Sequence, residues 1–311
     1  MTASASTTTT TKKGRLRRGW QLARSSWRVL VLDKELLVLP VIGCIVGLLT
    51  FIAFIALAIG VSTAGMHLLH GTSNYSVSGD VAIIPILIFF VLLRLLVTLI
   101  ANFFSGAIIY GASQRFHGDD PTIRGSLAGA WQKLGALSAF SAVDGTAGLL
   151  MQTVSERMPF LGQLLAVIGG LAWNIATVFA IPVIILSDKK VGPIEATKKS
   201  VGIIRQIWGE GLVAEAGIGA VTVLGLFSYL LLATLVGYIT VSLHPSGAVT
   251  GSLIGGGILG LMVLLMLCGT LVAITKAAMY HYATTDEAPE MFNKELLQAA
   301  MTVKKARRLF R

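Results

Sequence analysis

The chain has 311 residues, of which 54% are hydrophobic and 13% charged, and a formal net charge of +10. Soluble domains hold about 25% charged residues. The deficit, with a mean hydropathy of +0.78 and long uncharged apolar runs, therefore excludes an ordinary soluble domain and points to an integral membrane protein. The basic residues lie between and outside the apolar runs, which argues against nucleic-acid binding and for one-sided basic loops.

Residues 1–13 are Ser/Thr/Ala-rich, with five threonines at 7–11. This tail cannot bury a core and is predicted to be disordered. It is not read as a signal peptide, because the first long apolar run starts only near Leu36. In residues 15–32, Leu16, Trp20, Ala23, Trp27 and Leu30 form one helical stripe, surrounded by Arg17, Arg18, Arg24 and Arg28. Tryptophan favours the headgroup level, so this helix is expected to lie in the cytoplasmic interface with its arginines on anionic headgroups. Asp33, Lys34 and Glu35 mark a polar corner.

Six spans follow, at about 36–61, 81–112, 136–154, 161–186, 212–243 and 250–273. Each is close to or above the roughly 20 residues that cross a hydrocarbon core. The 62–80 loop has no Lys or Arg, and its His67 and His70 alone specify no metal site. Between the second and third spans, Pro121 opens a helix-like segment with Leu127, Trp131 and Leu134 on one stripe. The preceding Asp119 and Asp120 read as turn and cap residues. Residues 192–209 form another basic amphipathic helix. Pro193 suits its first turn, Ile194, Thr197, Val201, Ile204 and Trp208 lie on one face, and Lys198, Lys199 and Arg205 lie on the other as further headgroup contacts. The tail from Lys276 is polar and basic and ends in KKARRLFR.

Twenty-three of the 25 Lys and Arg fall in 12–34, 115–133, 189–205 and 276–311, the exceptions being Arg94 and Arg157. The positive-inside rule then predicts a multi-pass cell-membrane protein with both termini cytoplasmic. Its fold class is all-α: a six-helix membrane domain over 14–280, an amphipathic interfacial helix before each hairpin, and a basic tail over 281–311. Trp20 and Trp27, Trp131, and Trp208 each precede a helical hairpin, a threefold pattern with the layout of a repeat.

The chain has no P-loop, G-x-S-x-G, H-E-x-x-H, G-x-G-x-x-G or Cys/His cluster, so no catalytic residues, metal or cofactor are expected. Cys44 and Cys268 lie inside apolar runs and read as packed thiols. The remaining site candidates are intramembrane polar groups. Counting from the nearest basic end at 1.5 Å per residue puts Asp144 about 16 Å, Asn102 about 20 Å and Asn174 about 21 Å deep, with Glu215 shallower. These four are expected to share a polar cavity for a cation, a proton or a lipid headgroup; the bland reading makes Asp144 hydrogen-bonded helix glue. The expected activity is that of a non-enzymatic scaffold or lipid-interacting protein, and a small transporter or permease using that cavity is the alternative.

Three blocks carry a family resemblance: GRLRRGWQLARSSWRVLVLDKELLVLPVI from Gly14, GDDPTIRGSLAGAWQKLGAL from Gly118, and LAWNIATVFAIPVII from Leu171 with VGPIEATKKSVGIIRQIWGE from Val191. Over Gly14 to about Gly219 the chain resembles an uncharacterised bacterial integral-membrane family, domain of unknown function 6159. Its layout is also distantly similar to the membrane part of some glycerophosphodiester phosphodiesterases. The resemblance implies a membrane-embedded helical fold and carries over no activity. Asp144 departs from the small residues usual there.

Overall fold

A computed structural model describes residues 21, 24–70, 79–158, 160–207, 211–243, 247–285, 287–289 and 292; side chains at 34, 62–70, 79–86, 206–207, 211–222, 241 and 243 are outside that description. The expected tail at 1–13, the residues Arg17 and Arg18, and the terminal KKARRLFR lie outside the described residues. The fold is all-α, with no strand among the described residues. In order it comprises α1 (24–32), α2 (Lys34–His70), α3 (Gly79–Phe116), α4 (Ile123–Gln132), α5 (Leu134–Arg157), α6 (Leu161–Thr177), α7 (Ala180–Leu186), α8 (Pro193–Ile207), α9 (Gly211–Leu243) and α10 (Gly247–Thr285). Among the described residues six stretches are long and apolar enough to cross a membrane, one of them formed by α6 and α7 together. In α2 the helix runs on to His70, into the segment expected to be loop, because the stretch after Val61 has no proline and its Ala, Met and Leu residues favour helix enough to carry the single Gly65.

The bundle is packed at one end. Among the described residues, nearly all the buried apolar ones come from the half that carries the basic loops: Val29 and Leu30 of α1, Leu36 and Leu39 of α2, Ala107, Ile108, Ile109 and Ala112 of α3, Leu137 and Phe140 of α5, most of α7, and Ala273, Ile274, Ala277 and Ala278 of α10. Toward the other end α2, α6, α9 and the start of α10 expose Leu, Ile, Val and Phe along most of their surface. A bilayer is the solvent in which such a surface is stable; in water it would be an aggregation site.

Helix α3 is the hub, touching α2, α4, α5, α7 and α10. Lipid gives apolar side chains no drive to associate, so close approach through small residues selects the contacts. A side chain at Gly43 would place Cβ 2.9 Å from Phe104, one at Gly106 2.9 Å from Ile185, and one at Gly129 2.5 Å from the Tyr110 ring. Of the GxxxG spacing at Gly43 and Gly47, only Gly43 makes such a contact; Gly47 faces open space.

The fourth crossing is broken. Pro182 has no N–H to give the Val178 carbonyl, and the helix ends at Thr177 and restarts at Ala180. The break is not lipid-exposed. Phe179 N–H donates to Ser200 Oγ of α8 at 3.0 Å, and Ser200 is fully buried. Non-helical backbone at membrane depth requires such a protein-supplied partner. The inward face of α8 is thus Ala196, Ser200 and Ile204, while Ile194, expected on the apolar face, is exposed. Small side chains win that face because α8 packs on α6 and α7.

Candidate functional site

The four intramembrane polar candidates do not share one cavity among the described side chains. Asn102 Nδ2 on α3 donates to Ser141 Oγ on α5 at 3.0 Å. Asp144, one turn further along α5, accepts from Trp173 Nε1 on α6 at 2.8 Å. Asn174, the next residue on α6, is exposed on another face of that helix. Glu215 falls in α9, and its side chain lies outside the described residues. The Arg94 guanidinium rests against Gly148, one turn beyond Asp144, where a Cβ would meet Nη2 at 2.6 Å. A pocket of about 330 Å³ adjoins Ser141, walled by Phe54, Leu92, Leu95, Leu96 and Leu99, and neither Asn102 nor Asp144 lines it. Polar groups in lipid pair with the nearest donor or acceptor, so two separate inter-helix pairs form.

At the basic end the ion pairs are structural. Asp33, buried between α1 and α2, takes both Nε and Nη2 of Arg115, the former at 2.6 Å, and Arg115 also reaches Asp120 at 3.0 Å. Glu35 Oε2 accepts from Ile123 N at 2.9 Å and Thr122 Oγ1 from Gly125 N at 3.0 Å, so these two residues cap α4. The chain reaches that cap through Gly118, whose φ of +88° favours glycine. Lys133 Nζ donates to Ser187 O at the end of α7, where a cation also suits the helix dipole.

Other basic residues face outward. Arg24 and Arg28 of α1 are exposed while Ser26, Val29 and Leu30 on the same helix are buried. Lys198 and Arg205 of α8 are exposed, and Lys199 pairs with Glu195 one turn away at 2.9 Å.

A groove of about 930 Å³ is roofed by α4. Ile123, Arg124, Leu127, Ala128, Trp131 and Gln132 form the roof. Leu99, Ile100, Phe103 and Phe104 of α3 form the main wall, and Val46 of α2 and Leu134 of α5 close the sides. Trp131 is 67% exposed and stands edge-on to Phe103 at 6.3 Å between ring centroids. The groove arises because α4 meets α3 through small residues: Ser126 lies over Gly111 and Gly129 over the Tyr110 ring. Its larger residues are left to overhang the membrane-spanning part of α3.

A family model matches residues 81–289, about two thirds of the chain. The chain belongs to the Family of unknown function DUF6159. The DUF6159 match includes α3 to α10 almost entirely, hence every groove residue except Val46, and both intramembrane polar pairs. Comparison with curated proteins and with solved structures finds no match.

Sequence reasoning located Leu127, Trp131 and Leu134 on one stripe but did not single out Arg124, nor Ser141, Trp173 and Ser200 as the partners of Asn102, Asp144 and the broken helix. Arg124 stood one turn before that stripe's Leu127, which was the available signal. Ser141 and Ser200 had none, since a serine inside a helix usually bonds its own backbone.

Proposed function

We propose that this DUF6159 chain is a non-enzymatic, multi-pass cell-membrane protein that engages anionic lipid at its basic end, which faces the cytoplasm with both termini. The observation that carries the reading is the division of α1 and α8 into a buried inner face and an exposed basic outer face: Arg24, Arg28, Lys198 and Arg205 all point away from the bundle. Each such residue near an anionic surface contributes about 1 kcal/mol. The test reconstitutes the full chain in vesicles of equal parts phosphatidylcholine and phosphatidylglycerol, excises it with its lipid annulus by copolymer extraction, and quantifies the lipids. Enrichment of phosphatidylglycerol that disappears when those four residues become Gln supports the reading; an annulus of bulk composition overturns it. Labelling of a cysteine placed at exposed Lys189 from outside intact cells would refute the orientation.

A transporter or permease is the second reading, favoured by the broken α6–α7 crossing and the intramembrane Asp144. It needs a solute flux in proteoliposomes that Asp144→Ala abolishes. The pairing of Asp144 with Trp173 favours the helix-glue role instead.

A further inference from the structure

The α4 groove has the placement and chemistry of a site for one lipid molecule. Helix α4 crosses α3 at Tyr110 and Gly111, and the groove continues to Leu99, about 18 Å along the α3 axis. That matches the depth of one leaflet, half of a hydrocarbon core of about 30 Å. Its volume of about 930 Å³ lies in the range of ligand pockets, about 300–1,000 Å³. The walls are Leu, Ile, Phe, Val and Ala, and the charged or amide groups in the lining are Arg124 and Gln132, both on the roof. Water needs two to four polar partners to reside in a cavity, and the walls supply none. At membrane depth an acyl chain is the component that fills such a space.

The roof supplies the headgroup contact. Arg124 is exposed and has no ion-pair partner among the described residues, unlike Arg115, which Asp33 and Asp120 hold. A guanidinium presents a planar fork that matches phosphate. No carboxylate is among the lining residues, and the nearby Glu35 carboxylate is engaged in capping Ile123, so the lining favours an anionic headgroup over the ammonium of a zwitterionic one. Trp131, on the roof and 67% exposed, suits the interfacial level at which a glycerol backbone lies.

We propose that this groove binds a single anionic glycerophospholipid, its phosphate on Arg124 and an acyl chain between α3 and α4. The site deepens the lipid-interaction reading, but it concerns one bound molecule rather than the annulus held by α1 and α8.

The experiment is native mass spectrometry of the full chain released from nanodiscs of equal parts phosphatidylcholine and phosphatidylglycerol. The expected result is one retained phospholipid, with phosphatidylglycerol preferred about fivefold. Ala128→Trp fills the groove from the roof and abolishes retention. Val46→Trp does so from the α2 side, which keeps the test decisive if the roof variant does not fold. Arg124→Gln retains a lipid but loses the headgroup preference. Lipid retention by both folded Trp variants, or no retained lipid on the wild-type chain, overturns the proposal. So do cross-links that put residues 1–20 or a second copy of the chain in the groove. Replacing Arg24, Arg28, Lys198 and Arg205 leaves this single lipid in place while changing the annulus, so failure of one reading is distinguishable from failure of the other.

Discussion

Ser200→Ala tests whether α8 holds the broken crossing together. Phe179 N–H would donate to the Ile175 carbonyl in a continuous helix, but that carbonyl instead receives Val178 N–H at 3.3 Å in a tight turn. Ser200 Oγ, 3.0 Å away, is therefore the acceptor that Phe179 N–H uses. Two magnitudes compete. A side-chain hydrogen bond between membrane helices averages about 0.6 kcal/mol, because the unfolded chain finds other partners in the bilayer. A buried donor left unsatisfied costs about 1–3 kcal/mol. The second governs here, because Phe179 is 3% and Ser200 0% exposed, so neither group is open to solvent. The volume change is small, so the cavity term adds little. We expect Ser200→Ala to cost about 1–2 kcal/mol in reversible unfolding from bicelles, with faster amide exchange at Phe179 than at Ile184. A loss below about 0.3 kcal/mol with Phe179 still protected would refute the reasoning, since a cost smaller than the average inter-helix bond means the donor has found another acceptor.

Asp33→Ala removes the buried partner of Arg115 but leaves Asp120 within reach. Arg115 is 22% exposed at the side chain, so the loss is expected at about 1–3 kcal/mol, below the full penalty for a buried pair; urea or thermal unfolding in detergent reads it. Gly43→Ala is expected to destabilise by about 1–3 kcal/mol through its contact with Phe104, while Gly47→Ala is neutral to slightly stabilising; equal effects would remove the α2–α3 close approach as the cause. At the end of α10, beyond its apolar stretch, His281 stacks edge-on to His117 of the α3 end at 5.3 Å. Burial, and then His117, lower the His281 pKa, partly offset by Glu287. The separated state therefore takes up the proton first, and the contact is stable above about pH 6.5 and lost as pH falls. The protection factor of amides 279–285, which corrects exchange for its intrinsic pH dependence, should fall as pH drops below about 6.5, and His117→Gln should blunt the change; a pH-independent protection factor would refute it.

Helix existence and number were legible because the bilayer leaves a chain few options: each crossing must satisfy its own backbone, so about 20 apolar residues read as a helix. The amphipathic segments that became α4 and α8 were legible from their periodicity, as was the start of α8 at Pro193. What periodicity cannot supply is the direction in which an apolar helix packs. Helices α2, α3, α9 and α10 are apolar on every side, so no stripe marks the inner face. In the structure it is marked by Gly43, Gly106 and Gly111, where backbones approach closely enough to exclude a side chain.

The same limit explains the polar groups. Depth along a helix follows from counting residues, and it put Asn102, Asp144 and Asn174 at similar levels. Azimuth does not follow from counting. It sends Asn102 to Ser141, Asp144 to Trp173, and Asn174 outward. Composition and charge order by themselves determined a helical membrane chain whose basic loops gather at one end, because bilayer thickness and ion desolvation act on local sequence. Tertiary packing alone decided that Ser200 closes a helix break, that the polar residues pair separately, and that α4 overhangs α3 to leave the groove beside Arg124. Each of these depends on which faces of unlike helices meet, and that contact is set by steric fit between residues far apart in the chain.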